Sequence, residues 1–234
     1  MIDEIHVHAS QEVAEKLGRH ALSIAFWADI LPSPPFAEWM TRVSELAAEA
    51  SQRRSKADYN TGSIAWMEAY QLCALANYLK ARVVFEVGTF IGISTHALAL
   101  AECVHDVYTC DSSNDCCPAT DKIRPHPFTG SIDMLNGLRK KGIKADLCFF
   151  DGHLKRVDAD ALPGLTHSGT VFAFHDYNHG PKIRLRPNGS TYTETLPRKG
   201  IGNVELLKPW LSHHVLIEPL KGNVLALLVP ESML

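Results

Sequence analysis

The stretch Arg82-Val83-Val84-Phe85-Glu86-Val87-Gly88-Thr89-Phe90-Ile91-Gly92 decides the fold. A short, β-branched apolar run that ends at glycine reads as a buried parallel strand. Gly88 lets the backbone turn sharply, and Gly92 lets a ligand come close at the start of the next helix. Strands and helices alternate from here. Ser94 to Glu102 reads as a helix, Asp106 to Cys110 as a strand and Pro127 to Gly130 as a short strand. Ile132 to Lys141 is a helix, Ala145 to Phe150 a strand, Arg156 to Leu162 a helix and Ser168 to His175 a strand. Val204 to Leu211 reads as a helix. The chain closes with strands Val215 to Glu218 and Asn223 to Val229, which a tight turn at Lys221-Gly222 makes antiparallel. The pattern predicts an α/β, doubly wound, Rossmann-like seven-stranded sheet with an antiparallel last strand.

Upstream of Arg82 the pattern is helical. Helices are expected over Gln11 to Ile30 and Phe36 to Arg53, then a polar loop from Ser51 to Asn60. A third helix, capped by Ser63, should run to Lys80. The 234 residues divide into an N-terminal helical cap or lid, 1–60, and a Rossmann-like catalytic domain, 61–234. The formal net charge of −3 argues against a general nucleic-acid or anionic-membrane binder. No apolar run approaches the roughly 20 residues that span a bilayer, and Met1 to Ser10 lacks a leader pattern. The expectation is a soluble, cytoplasmic protein. The six cysteines form no zinc-ligand spacing, and Cys73, Cys103 and Cys148 fall within apolar patterns as reduced core residues.

Ligands of open α/β sheets sit at the carboxyl ends of the strands, where Glu86 to Gly92 lies. The turn lacks the G-x-G-x-x-G of a dinucleotide site. An acid ahead of G-x-x-x-G suits a ligand with an ammonium and no phosphate. A tight turn with no ligand is the other reading. One β-α-β step later, Asp111 ends a strand where a carboxylate accepts both ribose hydroxyls or serves as a turn residue.

Glu86, Gly88 and Gly92 resemble the first motif of the class I S-adenosylmethionine-dependent methyltransferases. The resemblance implies that this turn wraps the methionine part of the cofactor, with the acid acting on its amino group directly or through water. Phe128-Thr129-Gly130-Ser131-Ile132 resembles the family's adenine segment, with Ser131 at the ring edge and Ile132 on its face; Ser131 also suits a helix cap. Thr61-Gly62-Ser63 falls where the family closes over the methionine carboxylate, and simple capping remains open there.

Two strand ends hold concentrated polar chemistry: Asp146-Leu147-Cys148-Phe149-Phe150-Asp151-Gly152-His153 and Phe174-His175-Asp176-Tyr177. Ionisable groups that follow apolar strands are costly without a role. These segments resemble the small-molecule O-methyltransferase branch, over roughly Thr61 to Pro230. The resemblance implies that Asp151 and Asp176 bind Mg2+ or another divalent cation, although His175 stands where catechol O-methyltransferase has an acid. A metal-free site is the alternative. Asp151 is also expected at the cofactor. His153 is the candidate general base, or else a helix cap or a partner of Asp176. Tyr177 is expected to face the pocket.

Phe26, Trp27, Phe36, Trp39 and Trp66 form a lid, a dimer face or ordinary core packing. Asn178 to Gly200 reads as a long loop in which Lys182, Arg184, Arg186, Arg198 and Lys199 face a single acid, Glu194. It suits a carboxylate-bearing small-molecule substrate. The family resemblance makes a homodimer reasonable. Methyl transfer to a hydroxyl is the leading expectation. Two alternatives stand: an enzyme that cyclises or cleaves S-adenosylmethionine itself, releasing methylthioadenosine as azetidine-2-carboxylate forms, and a non-catalytic cofactor-binding protein.

Overall fold

A computed structural model describes residues 15, 18–32, 38–39, 41–42, 64–112, 117, 119–177, 182–185, 191–194, 199–207, 212–220 and 225–234, with backbone only at 182–185, 191–194 and 199. Seven strands form one sheet: β1 (Val83–Val87), β2 (Asp106–Asp111), β3 (Ile123–Pro127), β4 (Leu147–Phe150), β5 (Val171–Phe174), β8 (His214–Ile217) and β9 (Ala226–Pro230). Their order is β3-β2-β1-β4-β5-β9-β8. The first five are parallel, and β9 runs antiparallel to both β5 and β8. The strand order reverses between β1 and β4, so the carboxyl ends of β1, β2, β4 and β5 converge on one edge.

Period-2 alternation divides the core. Val84, Val107, Leu147, Phe149, Val171 and Ala173 pack on one face with helix Trp66–Tyr78 and helix Ile93–Ala99. Phe85, Cys110, Cys148, Phe150, Phe172 and Phe174 pack on the other, with helices Ser131–Lys140, Arg156–Ala161 and Lys199–Leu207. Both faces are covered, which is why β4 and β5 are apolar at every position.

Phe26, Trp27 and Ile30 from helical residues 18–30, with Trp39, join the first of these clusters. Tyr70 donates a hydrogen bond to the Leu31 carbonyl and packs against Trp39. Trp66, by contrast, is 39% exposed. Phe36, Thr61 and Ser63 lie outside the described residues. No described helix is long and apolar enough to cross a membrane.

Four boundaries differ from expectation. The third strand is Ile123–Pro127, and of the expected Pro127 to Gly130 only Pro127 lies in it, with Phe128 to Gly130 the turn that follows. Pro125 and Pro127 hid it, but an edge strand tolerates proline where the missing N–H would face away from its neighbour. The segment 178–200 contains an antiparallel ribbon, β6 (Lys182–Leu185) with β7 (Thr191–Glu194). Its alternation is too short to stand out from the surrounding turn residues. The next helix starts at Lys199 rather than Val204, so both its glycines lie within it. Helix Trp66–Tyr78 begins later than Ser63 would cap it. Cys73 and Cys148 are buried and free as expected, while Cys103 is only half-buried.

At the amino end of the sheet, Asp146 accepts hydrogen bonds from the N–H groups of Arg82 (2.7 Å) and Val83 (2.9 Å), with His167 Nε2 at 3.1 Å. Burial alone would raise its pKa, but these bonds outweigh it and hold the carboxyl below its usual range. A depressed pKa contributes stability that is present above the unfolded value and lost as pH falls through the folded one. Asp146→Ala should therefore lower the unfolding free energy by roughly 1–3 kcal/mol at neutral pH. Chemical denaturation should show the gap from wild type closing below the ordinary aspartate range; a gap independent of pH would refute this account.

Candidate active site

The glycine turn is built from left-handed backbone. Gly88, Phe90 and Gly92 have φ of 101°, 45° and 76°. Phe90 adopts this conformation without being glycine, a strain of roughly 1–2 kcal/mol, and Asp111 Oδ2 holds it by accepting the Phe90 N–H at 2.8 Å. Gly88 is constrained by its neighbour. A Cβ there would stand 2.7 Å from the Gly152 nitrogen, because Asp151 and Gly152 both donate their N–H groups to the Val87 carbonyl. At Gly92 a Cβ would meet the Cys117 sulfur at 2.8 Å, so a protein side chain occupies the space above this glycine.

Glu86 lies fully buried beneath the turn. Thr95 and Thr109 each donate to its Oε2 at 2.5 Å, and Thr109 in turn accepts from Thr89. Oε1 has no hydrogen-bond partner among the described residues. Burial raises the Glu86 pKa to about 7, opposed by the hydroxyls of Ser94, Thr109 and Thr95. An orphaned, buried carboxylate oxygen is a costly feature that a cationic or water donor would relieve.

Of the adenine-segment residues, Phe128 is exposed and Thr129 to Ile132 are partly buried. Ser131 opens helix Ser131–Lys140 and donates its hydroxyl to Asp158 Oδ1 at 2.8 Å, while Ile132 packs against the second core cluster. The helix cap is Gly130, one residue earlier than the serine.

Across the edge, the ends of β4 and β5 and helix Trp66–Tyr78 bring four ionisable groups together. His175 Nδ1 is 2.8 Å from Asp151 Oδ1 and 3.3 Å from Asp176 Oδ1, and Nε2 is 3.2 Å from Glu68 Oε2. Burial would lower the His175 pKa, but the bonds to Asp151 and Glu68 and the charges of Asp151 and Asp176 push it up to about 10. Asp176 sits at φ 59°, a second strained residue at this edge. Donor atoms of Asp151, His175 and Asp176 all lie within 4.8 Å of one another. That spacing suits one divalent ion.

His153 is exposed in the loop after β4. Asn203 fixes that loop, accepting from the Leu154 N–H and donating to the Gly152 carbonyl, both at 3.0 Å. Tyr177 is half-buried, and burial and then Glu218 and Glu205 raise its pKa. Helix Lys199–Leu207 starts against it: a Cβ on Gly200 would lie 2.6 Å from the His175 carbonyl oxygen. The β6–β7 ribbon therefore leaves and rejoins the domain at the polar strand end.

Sequence reasoning missed Glu68, Thr95, Thr109 and Asn203. Only Glu68 left a trace, as the single charge in the otherwise uncharged helix Trp66–Tyr78. The others are ordinary polar residues whose partners come from distant strands.

No family model and no curated protein matches the sequence. Solved structures do share the fold. An O-methyltransferase from Bacillus cereus in complex with S-adenosylhomocysteine is 18% identical, aligned over 78% of this chain and 89% of its own, with a TM-score of 0.54. The O-methyltransferase TomG from Streptomyces achromogenes, involved in tomaymycin synthesis and solved with S-adenosylmethionine, is 18% identical over 78% of this chain and 88% of its own, at 0.56. A methyltransferase from Podospora anserina bound to S-adenosylhomocysteine is 11% identical over 79% and 87%, at 0.55. The chain has the Rossmann-like methyltransferase fold.

The Glu86 pKa gives a sign that melting curves can check. The folded state keeps a proton that the unfolded state has lost, so wild-type stability falls as pH rises from the ordinary glutamate value, 4.5, through about 7. Glu86→Gln removes this dependence. In ligand-free protein the variant should gain melting temperature relative to wild type between pH 5 and pH 8; parallel pH profiles would contradict the buried-acid account.

Proposed function

We propose that this chain is an S-adenosylmethionine-dependent methyltransferase acting on a small molecule, at a hydroxyl. The supporting observation is the buried, orphaned Glu86 Oε1 under a strained turn, at the same sheet edge as the Asp151, His175 and Asp176 cluster. S-adenosylmethionine supplies an electrophilic methyl group. The protein's task is then alignment and exclusion of water.

Gly88 and Gly92 shape the turn around the methionine part, and Glu86 draws the ligand's ammonium directly or through water. Asp111 accepts the ribose hydroxyls while it holds Phe90. Ile132 packs on the adenine, and Ser131, whose proton goes to Asp158, retains lone pairs for the ring edge. Thr61 is assigned to the methionine carboxylate from the resemblance alone. Asp151, pinned against Gly88, borders both the cofactor and the acceptor. His153, exposed in the loop after β4, is the proposed general base, and Tyr177 the proposed acceptor-side wall. Asp151 and Asp176, with His175 between them, would hold a divalent cation, which lowers the pKa of an acceptor hydroxyl. The run of basic residues in the sequence from 182 to 199 supports a carboxylate-bearing acceptor.

Calorimetry with S-adenosylmethionine is the first test. Glu86→Ala and Asp111→Ala should each weaken binding at least tenfold, consistent with losing charge-assisted contacts of about 1.5–3 kcal/mol. Unchanged affinity in both would remove the basis of this reading. Product analysis should find S-adenosylhomocysteine with an acceptor present and no methylthioadenosine without one.

A further inference from the structure

We infer that the cation site at the ends of β4 and β5 takes a nitrogen-accepting transition ion of the Mn2+ or Co2+ class rather than Mg2+, with His175 Nδ1 as a ligand and Glu68 as its positioning residue. The inference rests on the reading of these strand ends as a cation site.

The argument begins with the His175 ring. Nε2 faces Glu68 Oε2 at 3.2 Å. Without a cation both ring nitrogens face carboxylates, which only accept, so both carry protons; a cation that displaces the Nδ1 proton would leave Nε2–H on Glu68 and give Nδ1 a lone pair for ligation. On the Nδ1 side stand Asp151 Oδ1 at 2.8 Å and Asp176 Oδ1 at 3.3 Å. Bonds of about 2.1 Å meeting near right angles set ligand atoms about 3 Å apart. The separations of Nδ1 from Asp151 and Asp176 are therefore those of ligands around one ion, and all three donors lie within 4.8 Å of one another.

Glu68 is itself held. It is 5% exposed, and Oε2 also accepts the Ala65 N–H at 2.8 Å at the start of helix Trp66–Tyr78. A buried carboxylate that takes the far N–H of a ligand imidazole fixes its tautomer and raises its basicity. The resulting set is one nitrogen and two carboxylates. Mg2+ prefers an all-oxygen octahedron, whereas imidazole suits first-row transition ions. The replacement of an acid by His175 thus changes which ion the edge selects.

The test measures metal binding on the intact protein, independently of turnover. Wild type should bind Mn2+ or Co2+ at least tenfold more tightly than Mg2+, and pulsed electron paramagnetic resonance of the Mn2+ complex should show coupling to an imidazole nitrogen. His175→Asp should abolish that coupling and narrow the preference over Mg2+ by tenfold or more. Glu68→Ala should weaken Mn2+ binding 10- to 100-fold, and Glu68→Gln, which keeps an acceptor for the Nε2 proton, should recover part of the loss. Circular dichroism and S-adenosylmethionine affinity confirm that each variant is folded, and the nitrogen coupling needs no variant at all. If Mn2+ binds without nitrogen coupling, or Mg2+ binds equally well, the inference fails and the cation site stands. If no ion binds, the inference and the cation reading fail together, and His175 is a doubly protonated clasp between carboxylates. Methyl transfer would then be judged on cofactor binding alone.

Discussion

The backbone at Asp151 and Gly152 lies so close to Gly88 that not even a methyl group fits between them. This contact follows from the parallel register of β1 with β4, in which Val87 stands opposite Phe150. Both strands end together, and the Val87 carbonyl then accepts two N–H groups from the chain leaving β4. The consequence is a shared edge. The turn over Glu86 and the carboxylate of Asp151 become neighbours with no intervening side chain. The polar groups of this edge hang from that junction, through Cys110 and Asp111 on one side and His175 and Asp176 on the other.

The edge holds two kinds of buried charge, handled in opposite ways. Glu86 is pushed toward its neutral form by isolation: hydroxyls satisfy one oxygen, and burial raises its pKa to about 7. His175 is driven toward a positive form because acids approach it from helix Trp66–Tyr78, β4 and β5. In a low-dielectric setting neither arrangement is neutral for stability. Strained residues at Phe90 and Asp176 add to the cost. Stability given up at one edge, on a sheet otherwise filled with fully buried apolar residues, is the pattern expected of a working site.

Much of this was legible beforehand. The buried strand through Glu86, the glycine turn, Asp111 as a strand-end acid and the two polar strand ends all follow from local rules. β-branched runs make strands, glycine permits positive φ, and charge after an apolar strand emerges at its end. The third strand lies at Ile123–Pro127 rather than from Pro127 to Gly130; its two prolines are tolerated because the strand is at the sheet edge. The β6–β7 ribbon was read as loop because four-residue strands among turn-forming residues leave little periodicity.

The alternation of strands and helices and the polar edge of the sheet were legible in the sequence alone, since periodicity and turn chemistry are local properties of the chain. Only the tertiary structure decided which groups meet there. Glu68 reaches His175 across 107 positions, and Thr109 reaches Glu86 across 23. Asn203 ties down the loop after Asp151 from a helix 49 residues beyond the Leu154 amide it bonds. Such pairings depend on strand register and helix packing, which place side chains to within a hydrogen bond's length. No local pattern encodes a distance of that kind.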